Sequence, residues 1–248
     1  MSKKSLLNII LLIVAAALAS VIYFSEETPS ELEKLTRIQP ADISSISIRH
    51  NDNSTELRKQ QDGHWYIKKP LAIAANDFRV DSILKLINAP VYKRYRSSEI
   101  DLEKIGLLAP DTIISFDDIE IAFGITNPVT SLRFVRIGNA VSTIEDVYFP
   151  LFSSHFSTLV SLNLLPVNNR PASAIDKLIL LNQTLSRDEK GSWHSNIDIS
   201  ADNINKTIEH WQQGQAFGVH QYMDRKLLGE VFIVLEGKDD AISYQITD

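Results

Sequence analysis

The sequence predicts an α+β protein: two tandem repeats of an antiparallel hairpin plus covering helix, with extra strands, preceded by one transmembrane helix. Three observations carry that expectation. Leu6 to Phe24 is an apolar run with Asn8 its only strongly polar interruption. A glycine followed two residues later by tryptophan occurs twice, at Gly63/Trp65 and at Gly191/Trp193. Each pair lies between a segment of alternating hydrophobicity and a segment of helical period. With 44% hydrophobic and 23% charged residues over 248 positions, the chain has enough apolar surface for one large core or two ordinary ones.

The N-terminal run spans 19 residues, about 28 Å as a helix, against a hydrocarbon core of ~30 Å. Lys3 and Lys4 precede it and set its orientation, positive flank inside, while Tyr23 and Phe24 suit the far interface. A cleavable signal is the rival reading, because Ala17-Leu18-Ala19 fits a small-residue cleavage site. The run extends beyond the roughly 7 to 15 residues of a signal core, which favours a retained anchor. Residues 1–25 therefore read as the anchor and 26–40, charged and proline-bearing, as a tether.

The first α+β module is expected over 41–165. DISSISIRH alternates Ile43, Ile46 and Ile48 with serines, ELRKQQDGHWYIKKP reads as a second strand, and Asp62-Gly63 marks a turn. NDFRVDSILKLINAP places Val80, Ile83, Leu84 and Ile87 at helical spacing, with Asn76 or Asp77 as the N-cap and Pro90 beyond the end. Further short strands follow in DTIISFDDIEIAFGI, SLRFVRIG and VSTIEDVYF, with turns at Asp117-Asp118 and Gly138-Asn139. Residues 149 to 165 carry Phe152, Phe156 and Leu159 at i, i+4 and i+7 and predict a closing helix. Pro166 and Pro171 bracket a linker.

The second, shorter module is expected over 166–248. Ile175, Leu178 and Leu180 alternate, Gly191 and Trp193 repeat the earlier pair 128 residues on, and Ile204, Ile208 and Trp211 form a helical stripe. Repetition of an element order at a fixed offset suggests a duplicated supersecondary unit. Glycine supplies the left-handed conformation a tight turn needs, and tryptophan buries a large surface beneath a helix. Gly63, Trp65, Gly191 and Trp193 are therefore read as structural anchors rather than a ligand platform.

The order resembles a family of bacterial proteins with one N-terminal membrane anchor and a periplasmic region classed as a domain of unknown function. Its members are similar in having a Gly-x-Trp strand, a proline, an Ala-Asp type helix start and a Gly-Leu-x-x-Pro element. Gly63, Trp65, Pro70, Ala75 with Asp77, and Gly106, Leu107 and Pro110 match here, over about residues 40 to 248. Lys69 and Leu71 around the proline, Asn76 before Asp77 and the curtailed second copy depart from the pattern. The resemblance implies an auxiliary role, since family members are often encoded beside ABC-type export permeases and gliding-motility-type auxiliary proteins. It carries over no catalytic residue.

Composition narrows the chemistry. Without cysteine there are no disulfides, no thiolate nucleophile and no thiolate metal site. Beyond residue 24 the chain holds 23 basic against 31 acidic groups, a net of -8, which disfavours nucleic acid as a partner. No serine-hydrolase elbow, phosphate-binding loop, zinc-protease helix or dinucleotide fingerprint is present. His50, His64, His194 and His210 read as surface or satisfied polar residues, and Asp117-Asp118 and Asp239-Asp240 as turn carboxylates. No catalytic, cofactor or metal residue is expected. The one candidate interaction cluster is Tyr92, Lys93, Arg94, Tyr95 and Arg96, able to hold a phosphate, a lipid headgroup or an acidic partner; a charged edge strand is the plainer alternative. The sequence thus points to a noncatalytic, membrane-anchored periplasmic subunit of an inner-membrane complex, with the N-terminus cytoplasmic. The competing class is a periplasmic hydrolase or an envelope-polymer binding protein.

Overall fold

The computed structural model describes residues 11–18, 20, 32–166, 175–220 and 222–248. Among them fourteen strands form two antiparallel sheets. The larger contains β1 (Ser45–His50), β2 (Asn53–Lys59), β3 (Trp65–Lys69), β4 (Ile73–Ala74), β5 (Lys93–Arg96), β6 (Thr112–Phe116), β7 (Ile119–Thr126), β8 (Leu132–Ile137) and β9 (Ala140–Glu145). Its strand order is β4-β3-β2-β1-β6-β7-β8-β9-β5. The smaller runs β12-β11-β10-β13-β14, from β10 (Ile175–Ile179), β11 (Thr184–Arg187), β12 (Trp193–Ser195), β13 (Leu227–Leu235) and β14 (Ile242–Thr247). Besides the helical residues 11–18 and 20, three α-helices accompany them: α1 (Asp77–Leu84), α2 (Phe149–Ser153) and α3 (Ala201–Gln212).

The predicted fold class is therefore corrected. The protein is predominantly antiparallel β, with sheets of unequal size, rather than a pair of like helix-covered hairpins. An eight-residue α1 covers little of a nine-stranded sheet. The remainder of that core is closed by Leu35, Leu86, Ile87, Phe152 and Leu159, from irregular chain and single helical turns. The Gly-x-Trp pattern is local: it encodes a turn and the strand after it, and says nothing of how many strands then join. Both turns close alike, Gly63 N–H to the Gln60 carbonyl at 3.0 Å and Gly191 N–H to the Asp188 carbonyl at 2.9 Å, with the glycines at φ 87° and 84°. Likeness weakens beyond the turn, since Trp65 is buried and Trp193 half-buried.

Two further elements differ from expectation. The stretch read as one strand, ELRKQQDGHWYIKKP, divides into β2 and β3, and β1 turns into β2 at Asn51-Asp52, where Asn51 has φ 51°. Residues 149 to 165 are not one helix. Ser154 and His155 are extended, so α2 is followed by a separate single turn at Phe156–Leu159. The i, i+4, i+7 stripe survives as burial of Phe152 and Leu159 without a continuous helix.

The expected transmembrane helix is also corrected: among the described residues no helix is long and apolar enough to cross a membrane. Residues 11–18 and 20 of the apolar run are helical and exposed; the rest of that run lies outside the described residues, as do Pro171 and Ala19 of the proposed linker and cleavage site.

The larger sheet is sandwiched on part of its area. One face carries Ile46, Leu57, Trp65, Ile67, Phe123 and Val135 against Val80 and Ile83 of α1. On the other face Ala122, Phe134 and Val141 pack under Ile105 and Leu107. Gly124 permits that approach, because a Cβ there would stand 2.2 Å from the Ile105 carbonyl oxygen. The Gly106-Leu107 element thus closes the second face: Gly106 takes φ 70° and Leu107 is fully buried. In the smaller sheet Leu178, Leu185, Val231 and Ile233 pack with Ile204 and Ile208 of α3.

Candidate functional site

Alternation of charge and aromatic residues places VYKRYRS at the rim. β5 is the terminal strand of the larger sheet, pairing with β9 from Lys93↔Thr143 to Arg96↔Ala140 and, among the described residues, bearing no strand on its other side. Of the five candidate residues, Tyr95 alone turns inward, half-buried against the Ile105–Leu107 cluster. Tyr92 is exposed and donates to Glu145 at 2.8 Å, a bond that, with burial and the charge of Glu145, raises its phenol above the ordinary value. Arg94 donates to the Lys34 carbonyl at 3.2 Å and stands 3.8 Å from Glu33; Arg96 lies 4.0 Å from Glu99. These partners are exposed and screened, so the pairs are weak and the edge keeps a cationic character. Lys93, Arg94 and Arg96 project from an unpaired edge, which both discourages indiscriminate sheet growth and offers charge to an acidic ligand.

The Gly63-Trp65 region borders a cleft of about 690 Å³. Its walls come from α1 and β3–β4 on one side, Ser161 to Pro166 along the floor, and Ile242 and Tyr244 of β14 on the other. Asn76 caps α1 by accepting from Arg79 N–H at 3.2 Å. Asp77, the other cap candidate, instead accepts the Trp65 N–H at 3.0 Å and meets His64 Nδ1 at 2.6 Å. This local choice ties the tryptophan strand to the helix start. Phe78, 74% exposed, and Tyr66 and Tyr244, half-buried, give the cleft aromatic surface.

The remaining sequence candidates disperse. His50 Nδ1 meets Thr112 Oγ1 at 2.7 Å, His194 pairs with Asp188 at 2.9 Å, and His210 lies in α3. The His194 contact, foremost, and backbone N–H donors hold Asp188 below the ordinary carboxylate range. Asp117 occupies the β6–β7 turn at φ 47° and accepts four hydrogen bonds from Ser44 and Ser45. Burial pushes its carboxyl up, but those bonds outweigh burial and hold it low. Among the described residues no three His, Asp or Glu side chains gather as metal ligands.

Sequence reasoning missed one network. Arg133 donates through Nε and Nη2 to the two oxygens of Asp146, through Nη1 to the Gly124 carbonyl at 2.6 Å, and lies 3.7 Å over the Phe149 ring. Thr126 Oγ1 adds a bond to Asp146 at 2.6 Å. Nothing at 13-residue separation marks such a pair, which only the β8–β9 register brings together. No protein-family model, curated protein or solved structure matches this chain.

Proposed function

We propose that the protein is a noncatalytic interaction subunit at the outer face of a bacterial inner membrane, auxiliary to an ABC-type export system. The observation carrying this reading is the cationic edge β5, which among the described residues pairs with no strand on its outer side and exposes Lys93 on the face of Tyr95 and Arg94 with Arg96 on the opposite face. A charged rim of this kind steers association and selects partners rather than transforming them. The apolar N-terminal run and the family resemblance support the membrane location and the auxiliary role. Confinement beside a partner raises effective concentration, so a modest interface suffices.

The test is copurification from mild detergent followed by mass spectrometry. Export-system components are expected with the wild-type chain and are lost when Lys93, Arg94 and Arg96 are all changed to Glu in a protein that still folds. Recovery unaffected by that triple reversal would remove β5 from the interface. A second reading, binding of an envelope polymer, is favoured by the aromatic cleft of Tyr66, Phe78 and Tyr244. It predicts that Phe78→Ala abolishes retention on immobilised cell-envelope glycan while partner recovery persists.

A further inference from the structure

We propose that the outer edge of β14 is a docking edge for an extended segment of a partner protein, uncharged at its centre and basic at both ends. This extends the interaction-subunit reading to a second surface, and rests on it in taking the partner to be a protein.

The four sheet edges differ in how they are closed. β4 has two residues, and the neighbouring chain covers it through Ser161 N–H to the Ala74 carbonyl at 2.9 Å and Asn76 N–H to the Leu159 carbonyl at 2.7 Å. β12 has three residues and β5 is charged along its length. β14 has six residues, Ile242 to Thr247, with neither charge nor proline, and among the described residues no strand pairs on its outer side. Ile242, Tyr244 and Ile246 are seated on the second core, while Ser243 and Gln245 face solvent. Unpaired backbone groups on such an edge are completed by another strand: main-chain hydrogen bonds supply affinity and alternate side chains supply selectivity.

The distribution of charge states what that strand is like. Residues 175 to 248 contain 12 acidic and 7 basic groups, a net of -5, whereas residues 32 to 166 are nearly balanced at 16 and 15. Asp239 and Asp240 precede β14 and Asp248 follows it. Antiparallel pairing of two copies would set Asp248 of one near Asp239 and Asp240 of the other, a like-charge arrangement that disfavours self-association. A strand with Lys or Arg at both ends meets those acids instead.

The full chain in detergent micelles is titrated with two fluorescein-labelled peptides: three Thr-Val repeats between Lys-Lys ends, and the same centre between Glu-Glu ends. The Lys-ended peptide is expected to raise anisotropy and slow amide exchange across residues 242–247 about tenfold. The Glu-ended peptide is expected to bind at least about tenfold more weakly, as opposed charge steering requires. Ser243→Lys with Gln245→Lys, both solvent-facing, abolishes binding with an unchanged circular dichroism spectrum, and Asp239→Lys with Asp240→Lys shifts preference to the Glu-ended peptide. Three results overturn the inference: neither peptide binds; exchange slows at β5 or β12 instead of β14; or sedimentation shows a wild-type dimer whose β14 amides are already protected. Loss of partner recovery in the β5 triple variant, with no peptide binding at β14, would sink this inference alone and leave the proposed function standing.

Discussion

Arg133 and Asp146 show how one ion pair serves three elements. The guanidinium joins β8 to the β7 carbonyl of Gly124, to the end of β9 and to the α2 ring of Phe149. Burial works to raise the Asp146 carboxyl, but hydrogen bonds from Arg133 and Thr126 and the charge of Arg133 prevail and hold it below the ordinary range. A depressed folded pKa stabilises the native state above the unfolded value, about 4, and that contribution disappears as pH falls through the folded value. Asp146→Asn should therefore cost about 1 to 2 kcal/mol at pH 7, discounted because the carboxylate is a third exposed, and the gap from wild type should close in urea titrations below about pH 4. Burial makes a parallel statement about the tryptophans. Trp65→Ala should lose about 3 to 5 kcal/mol, and Trp193→Ala, half-buried, distinctly less, in the same denaturation assay.

At the scale of elements, α1 depends on Asn76. Its side chain satisfies the Arg79 N–H, so Asn76→Ala should lower stability by about 1 kcal/mol, read from the melting temperature. β5 behaves differently, because its cations sit on the sheet rim and little packing depends on them. Reversal of Lys93, Arg94 and Arg96 to Glu should leave the melting temperature within a few degrees of wild type while partner recovery falls. The Tyr92–Arg96 run is legible as a sheet edge in the sequence, since charges at successive positions suit only a strand with one side in water. Asp146 as partner to Arg133 is not legible, because the two share no local pattern and meet only through cross-strand register.

At the scale of the whole molecule, the proposed location predicts that the protein is recovered with inner-membrane vesicles together with its export-system partners; recovery in the soluble fraction alone would overturn it. Charge is asymmetric at this scale as well: the smaller sheet's half carries most of the net acidity, while β5 of the larger sheet is cationic, so the two ends suit partners of opposite sign.

By itself the sequence determined the local events: strands from period-two alternation, turns at Gly63, Asp117-Asp118, Gly138-Asn139 and Gly191, a helix cap at Asn76 or Asp77, and the acidic, cysteine-free composition. Each is set by a few neighbouring residues whose backbone preferences or side-chain bonds act within one turn. Tertiary structure alone decided that β1 through β9 join one nine-stranded sheet, that the 149–165 stripe breaks at Ser154-His155, and that β14 is left as an uncharged edge. The reason is that strand pairing satisfies backbone groups with partners distant in sequence, as β1 does with β6 across more than sixty residues. Hydrophobic period tells which face of a strand is buried, but which strand lies beside it is chosen by register, packing and the covering chain together.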